Sequence, residues 1–249
     1  MSGSPGELSA VFVSDVHLCP SRMEMAQGFL EFLENLSGEV QSLYILGDLF
    51  EYWAGDDDLG DPFNARIAGA LRAVSDQGAA VYLLHGNRDF LLGPNFARAA
   101  GCVLLPDPTV IRMQGVATLL THGDTLCTED ADYQAFRVTV RQPAWRQTFL
   151  ARPLAERKAE IEALRRRSET EKSRKPQQIM DVYPAAVEAA LRQHGCTRII
   201  HGHTHRPARH AHNVDGRSCE RWVLPDWYRS GGFLRCGQGG CEAVGIKPG

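Results

Sequence analysis

Ala10-Val11-Phe12-Val13-Ser14-Asp15-Val16-His17 is the stretch on which the fold turns. Four apolar residues in a row, with no polar alternation, read as a strand buried on both faces. The run stops at Ser14-Asp15, so a carboxylate and, two residues on, an imidazole stand just past the strand's C-terminal end. The same pattern recurs along the chain. Leu43-Tyr44-Ile45-Leu46 runs into Gly47-Asp48, Val81-Tyr82-Leu83-Leu84 into His85-Gly86-Asn87-Arg88-Asp89, and Arg198-Ile199-Ile200 into His201-Gly202-His203-Thr204-His205. Between the first two strands Met25, Phe29, Phe32, Leu33 and Leu36 recur at helical spacing, and a helix is expected around Asn64 to Gln77 before the third. Strand and helix in alternation argue for a parallel or mixed α/β sheet.

The pattern then changes. Thr109–Met113 and Val116–Leu120 flank Gln114-Gly115 and read as a hairpin, ending at Thr121-His122-Gly123-Asp124. From about Asp130 to Met180 the chain has helical periodicity and few β-branched residues. A helix over Val182–His194 leads back to the strand at Arg198, and the tail is Gly-rich and strand-like, as in Trp222-Val223-Leu224. No internal repeat or low-complexity tract interrupts the chain.

The 249 residues suit one sizeable domain, or a core domain with a large insertion, and 43% hydrophobic with 23% charged residues is ordinary globular composition. Seven cysteines (Cys19, Cys102, Cys127, Cys196, Cys219, Cys236, Cys241) are scattered, with no CxxC pair. Neither a zinc ribbon nor a disulfide framework is expected, and the thiols read as reduced. Met1 to Ala10 shows no basic region followed by an apolar run, so no signal peptide is expected, and no apolar stretch reaches the ~20 residues of a spanning helix. The net charge of −3 is uneven: residues 131–180 hold twelve Lys and Arg against six Asp and Glu, which leaves −9 on the rest. An acidic body with a basic segment points to cation sites in one part and an anionic partner at the other.

Loops at the C-terminal ends of strands in open α/β sheets converge on the ligand crevice. Each cluster supplies carboxylate, amide or imidazole donors of the kind that bind Mn²⁺, Fe or Zn²⁺. Residues at i and i+2 in an extended segment point the same way, so Asp15 with His17, and His203 with His205, can approach one site together. A lone Asp or His after a strand is ordinarily a cap or a satisfied surface residue. Five such clusters in one chain are not accounted for in that way.

In order, Asp15-x-His17, Gly47-Asp48, Gly86-Asn87-x-Asp89, His122-Gly123-Asp124 and Gly202-His203-Thr204-His205 resemble the signature of the calcineurin-like metallophosphoesterase superfamily. The resemblance implies a β-sandwich core flanked by helices. It implies one metal on Asp15, His17, Asp48 and His205, and a second on Asp48, Asn87, His122 and His203, with Asp48 bridging. His85 and His201 match no ligand position and read as supporting residues. Two cations sharing a water lower its pKa and clamp phosphoryl oxygens through an in-line displacement. Asp48 can bridge because a carboxylate has two oxygens, and Asn87 adds a neutral one, which leaves the site positive enough to attract a phosphate ester.

Many superfamily members carry His directly after the metal-binding Asn, where it can protonate an alkoxide leaving group. Here Arg88 stands there. Arginine is no general acid at neutral pH, but it can stabilise spreading negative charge bidentately. That suits a leaving group needing no proton, such as the phosphate monoester released from a pyrophosphate, whose second pKa is about 6. A cyclic-nucleotide phosphodiesterase or nuclease on the same core would call for an acid at this position. A scaffold that binds partners without catalysis would have lost ligands, and all seven are present.

Longer strings are similar to the UDP-2,3-diacylglucosamine hydrolase family within that superfamily: Ser14–Leu18, Gly47–Trp53, His85–Leu91, His122–Cys127, Ile179–Val182, His201–Pro207 and Leu224–Trp227. The resemblance implies a two-Mn²⁺ enzyme of lipid A biosynthesis in Gram-negative bacteria. Such an enzyme is peripheral on the cytoplasmic face of the inner membrane and splits the substrate pyrophosphate by water attack on the α-phosphorus. The products are UMP and 2,3-diacylglucosamine 1-phosphate. It implies catalytic parts for Asp48, Asn87, Arg88 and His122. Substrate contacts would come from Asn87, Arg88, Asp130, Ser168, Lys172, Lys175 and His203, with Lys172 departing from the smaller polar residue expected there. Residues 1–129 and 181–249 would form the core and 130–180 a helical lid over the acyl chains. Between Tyr133 and Leu154, Tyr133, Phe136, Val140, Trp145, Phe149, Leu150 and Leu154 largely fit one helical face. Arg137, Arg141, Arg146 and Arg152, lying between them, would turn to anionic headgroups of the membrane. No nucleic-acid partner is expected, and a monomer is favoured.

Overall fold

Alternation along the opening strand sets up the layers. In β1 (Ser9–Val13), Val11 and Val13 pack among Phe29, Leu33 and Leu71, whereas Ala10 and Phe12 pack with Leu120, Ile200 and Leu234. Successive side chains of a strand point to opposite faces, so a strand apolar throughout needs a layer on each side. Here helices cover one side and a second sheet the other. A fully buried side chain such as Phe12 contributes roughly 1.5–3 kcal/mol over its exposed state, which makes the four-residue run decisive.

The structure, a computed structural model, describes residues 9–36, 38, 40–172, 181–228 and 230–246, without the side chains of 167–172. Parallel β–α–β units build one half from β1, α1 (Met23–Glu34), β2 (Val40–Leu46), α2 (Pro62–Asp76), β3 (Ala80–Leu84), α3 (Pro94–Ala100) and β4 (Cys102–Leu105). The expected helix at Asn64 begins two residues earlier, because Asp61 caps it by accepting the Phe63 N–H at 2.9 Å and Pro62 takes the first turn. The other half holds β5 (Thr109–Met113), β6 (Val116–Leu120), α7 (Pro184–His194), β7 (Arg198–His201), β8 (Ala208–Val214) and β9 (Arg217–Val223). Gln114 and Gly115 both take positive φ, 50° and 81°, the geometry of the two-residue turn read from sequence. The tail forms a hairpin, β10 (Gly231–Gly237) and β11 (Gly240–Ile246), and β10 pairs antiparallel with β1. The two sheets run β11-β10-β1-β2-β3-β4 and β5-β6-β7-β9-β8. They pack face to face, with α1 to α3 outside the first and Val187 and Leu191 of α7 outside the second. The result is the helix-flanked sandwich expected.

Two expectations are corrected. The amphipathic run Tyr133–Leu154 is not one helix: α4 (Ala131–Val140) and α5 (Pro143–Leu150) are separated at Gln142, whose ψ of 136° is the extended conformation that a following proline imposes. The longer helix α6 (Leu154–Lys172) follows. The cysteines are also not all thiols. Cys236 and Cys241 stand directly opposite each other across the β10–β11 ladder, and their sulfurs are bonded at 2.04 Å; Cys19, Cys102, Cys127, Cys196 and Cys219 are buried and outside any disulfide.

Candidate active site

The C-terminal ends of β1, β2, β3, β6 and β7 meet at one edge of the sandwich. Past β1 and β2 the chains run on side by side: the Asp15 N–H donates to the Gly47 carbonyl (3.1 Å), His17 N–H to Asp48 (2.9 Å) and Leu18 N–H to Leu49 (2.8 Å). Asp15, His17, Asp48, His203 and His205 all have φ between 53° and 69°. Left-handed backbone costs an L-residue on the order of 1 kcal/mol, and strain concentrated in this way marks functional sites. The loops approach so closely that a Cβ on Gly86 would lie 2.0 Å from Asp48 Oδ1, and one on Gly202 2.1 Å from Asp15 Oδ2. Only hydrogen fits at either position.

All seven expected ligands come together here. Asp15 Oδ1 is 3.3 Å from His205 Nε2 and 3.8 Å from His17 Nε2. Asp48 Oδ2 is 3.8 Å from both His17 Nε2 and His122 Nε2. Asn87 Oδ1 lies 3.0 Å from His122 Nε2 and from His203 Nδ1. Two groups of donors are close enough to share a cation, Asp15 with His17 and His205, and Asp15 with Asp48 and His122. The ring tautomer of His122 follows from its other nitrogen: Nδ1–H donates to the Leu46 carbonyl at 2.8 Å, so the Nε2 lone pair faces the cluster. Both His17 nitrogens are buried without a hydrogen-bond partner among the described residues. Such atoms are costly unless something coordinates them, and the mixed oxygen and imidazole set suits a borderline divalent cation.

The electrostatics also favour cations. Burial pushes the Asp48 carboxyl up, with Asp89 and Asp15 adding to the effect against His122. His122 is raised as well: burial opposes its charge, but Asp48, Asp15 and Asp124 outweigh it. Asp15 is held well below the usual carboxylate range; burial works the other way, and the His205 hydrogen bond with the neighbouring imidazoles prevails. Buried carboxylates this close call for positive charge among them.

Asp89 stands in the signature without a ligand role; fully buried, it fastens the loops. Its oxygens accept the backbone N–H groups of Leu49 (2.7 Å), Gly86 (2.9 Å) and Asp48 (3.3 Å). The Arg88 N–H in turn donates to Asp48 Oδ1 at 2.8 Å. Its place three residues after Gly86, where a short acidic side chain can turn back on the backbone, was the available signal. His85 and His201 serve structural ends as expected, on the Leu92 carbonyl (2.7 Å) and the Gly202 carbonyl (2.9 Å).

The insertion residues fall out differently. Asp130 caps α4, accepting the Tyr133 N–H at 3.2 Å. The side chains of Ser168 and Lys172, and all of Lys175, lie outside the described residues. The cations expected to face a membrane are corrected in part. Arg137 turns inward onto buried Asp124 (2.8 Å), and Arg141 donates to the Gly86 carbonyl (2.7 Å) and lies over Phe90. Arg152 pairs with Glu160 on its own surface. Tyr133, which also donates to Asp124 at 2.6 Å, stacks toward His203 with ring centroids 6.1 Å apart. The buried Asp124 draws these partners inward, because a carboxylate removed from water needs charge and hydrogen bonds.

The profile of the Calcineurin-like phosphoesterase family matches residues 8–207. A protein of Aromatoleum aromaticum named UDP-2,3-diacylglucosamine hydrolase is 55% identical over 228 residues, covering 92% of this chain and 93% of its own length. Relatives of the same name from Aeromonas hydrophila and Stenotrophomonas maltophilia are 48% and 46% identical, covering 93% and 94% of this chain and 96% of their own lengths. With the family profile matching most of the chain and relatives at about half identity sharing more than nine-tenths of it, this chain belongs to the calcineurin-like phosphoesterases and, within them, to the UDP-2,3-diacylglucosamine hydrolase family.

Proposed function

We propose that this protein hydrolyses the pyrophosphate of UDP-2,3-diacylglucosamine in lipid A biosynthesis, water attacking the α-phosphorus to give UMP and 2,3-diacylglucosamine 1-phosphate. The observation that carries the reading is the convergence of Asp15, His17, Asp48, Asn87, His122, His203 and His205, with Arg88 rather than a proton donor beside them. Asp15, His17, Asp48 and His205 would hold one Mn²⁺, and Asp48, Asn87, His122 and His203 the other. Bound there, the cations supply a lowered water pKa and charge for the phosphoryl oxygens. Arg88 steadies negative charge on the departing phosphate without having to give up a proton. Asn87 and His203 reach the phosphates as well, Asp130 the sugar, and Ser168, Lys172 and Lys175 the substrate from the insertion.

Phe136, Val138 and Leu150, on α4 and α5, are exposed large apolar side chains. They support the reading of residues 130–180 as an acyl-binding lid. No described helix is long and apolar enough to cross a membrane, and the exposed apolar surface fits a peripheral contact with the cytoplasmic face of the inner membrane. Sedimentation with anionic liposomes tests that contact: Val138→Asp should weaken it, and a protein that stays in the supernatant at low salt lacks it. The catalytic reading is tested by incubation with UDP-2,3-diacylglucosamine and Mn²⁺ in ¹⁸O-labelled water. UMP should appear carrying the label; label in the sugar phosphate, or no UMP, refutes it.

A further inference from the structure

His203 and His205, the expected ligands that follow β7, stand on a turn that is held from outside the metal cluster. The Thr204 N–H donates to the Gly202 carbonyl at 2.8 Å, and with a φ of 69° at His203 this is a γ-turn of the rare, strained hand. Backbone of that kind persists only where its surroundings fix it. Three contacts do so here. The Gly202 N–H donates to the His122 carbonyl (3.0 Å), and the His203 N–H to Asp15 Oδ2 (2.8 Å). The third comes from a side chain: His201 Nδ1 is 2.9 Å from the same Gly202 carbonyl. The His201 ring is fully buried, and a Cβ on Gly123 would lie 2.8 Å from its Nδ1.

What holds that ring lies one strand away. Arg221, on β9 opposite Ile199, is 9% exposed. Its Nη1 is 3.3 Å from His201 Nε2, and its Nε donates to His212 Nε2 at 3.4 Å. Among the described residues its hydrogen-bond partners are thus two imidazoles. A guanidinium only donates and does not give up its proton. His201 Nε2 must therefore accept, which leaves the ring proton on Nδ1 and aims it at the Gly202 carbonyl. The connection runs from β9 through the ring to the acceptor of the γ-turn, and so to one imidazole of each expected cation site.

We propose that Arg221 is a positioning residue of the metal centre, fixing through His201 the turn that presents His203 and His205. The inference rests on the reading of those two imidazoles as ligands of the two cations.

The test titrates the metal-free full chain with Mn²⁺ by calorimetry, and measures kcat and KM on UDP-2,3-diacylglucosamine at low and at saturating Mn²⁺. Arg221→Met, which keeps the length and removes the donors, should weaken Mn²⁺ binding on the order of tenfold, as loss of residues behind metal ligands does. At low Mn²⁺ kcat should fall with it and recover at saturating Mn²⁺, while KM stays within twofold of wild type. Arg221→Lys, which keeps a single donor nitrogen, should lose about threefold in Mn²⁺ affinity and serves if the methionine variant does not fold. His201→Asn, whose Nδ2 can stand where Nδ1 donates, should keep more of the Mn²⁺ affinity than His201→Leu. Val214→Ala, which thins the apolar packing of the same sheet against α7, is the control for stability alone: Tm falls and Mn²⁺ affinity does not change. A folded Arg221 variant with lowered Tm but Mn²⁺ affinity within twofold of wild type overturns the positioning role. Equal affinities in the two His201 variants overturn the part given to the Gly202 hydrogen bond. A wild type that takes up no Mn²⁺ overturns the ligand reading as well, whereas wild-type uptake of two Mn²⁺ with no change in the Arg221 variants overturns the positioning role alone.

Discussion

Gly86→Ala is the smallest change that should separate the site from the fold. The added methyl carbon would lie 2.0 Å from Asp48 Oδ1 and 2.3 Å from the Asp48 nitrogen, whereas ordinary contact begins near 3.4 Å, so the two loops must part by more than 1 Å. They cannot do so freely, because Asp89 Oδ1 accepts from both Gly86 and Asp48 backbone nitrogens and the Arg88 N–H holds Asp48 Oδ1. Either those hydrogen bonds stretch or Asn87 and Arg88 move away from Asp48. Overpacking of this kind costs typically 1–3 kcal/mol, a loss of roughly 2–10 °C in Tm for a chain of this size. Misplacing reacting groups by about 1 Å costs on the order of 10²-fold in rate. The assay pairs kcat/KM on UDP-2,3-diacylglucosamine with thermal melting and Mn²⁺ titration by calorimetry. A folded variant with weakened Mn²⁺ binding and a hundredfold rate loss is expected. If Gly86→Ala keeps activity and Mn²⁺ affinity within threefold of wild type, close approach of these loops is not what assembles the site.

Asp48→Ala should fold and lose at least a thousandfold in turnover, several kcal/mol of barrier; retention of more than a tenth of wild-type activity contradicts the bridging role. Arg88→His should slow pyrophosphate cleavage more than cleavage of an aryl phosphodiester, which has no phosphate chain to stabilise, and equal losses on both remove the argument from the leaving group. Glu220 is held below its ordinary range: burial opposes this, but Arg198 and Arg209 outweigh it. A depressed carboxyl pKa contributes stability that is fully present above the unfolded value, near 4.3, and is lost as pH falls through the lower folded value. Glu220→Gln should therefore lower Tm at pH 7, by an amount corresponding to about 1 kcal/mol or less, and by progressively less as pH falls below the unfolded value; a drop in Tm that does not shrink with falling pH refutes the assignment.

The strands carrying the ligands were legible because burial on both faces leaves a continuous apolar run, and such runs are rare outside strands and core helices. Val11 and Val13 meet helices while Ala10 and Phe12 meet the second sheet, so the same four letters that announce the strand also announce the sandwich. The hairpin at Gln114-Gly115 was legible for a local reason, the turn itself. What escaped was decided at a distance. Nothing near Gly231–Gly237 says that β10 will pair with β1, more than two hundred residues away, or that Cys236 will face Cys241 in a ladder. The break at Pro143, by contrast, was written in the sequence, and the helical periodicity on either side of it masked it.

The site divides along the same line. Its seven donors follow strands, and their identity is chemical, so a list of Asp, His and Asn after apolar runs contains them. The residues that hold the donors in place are identified only by what they touch. Asp89 is an ordinary carboxylate in sequence and becomes the fastening of two loops only once the loops are folded. The insertion shows why helical patterning misleads here. An apolar face with interleaved arginines is compatible with cations turned to water, to lipid headgroups or to a buried acid, and spacing does not distinguish these. Asp124 decides among them. It is fully buried at the end of the segment carrying His122, and it draws Arg137 and Tyr133 from α4 onto itself. Removing one partner of a buried pair costs on the order of 3–5 kcal/mol, because the remaining charge is uncompensated. That is far more than the roughly 1 kcal/mol each cation would gain near an anionic surface. The inward orientation therefore wins at Arg137, and α4 is tied to the core by the residue that follows the last His-Gly of the β6 loop.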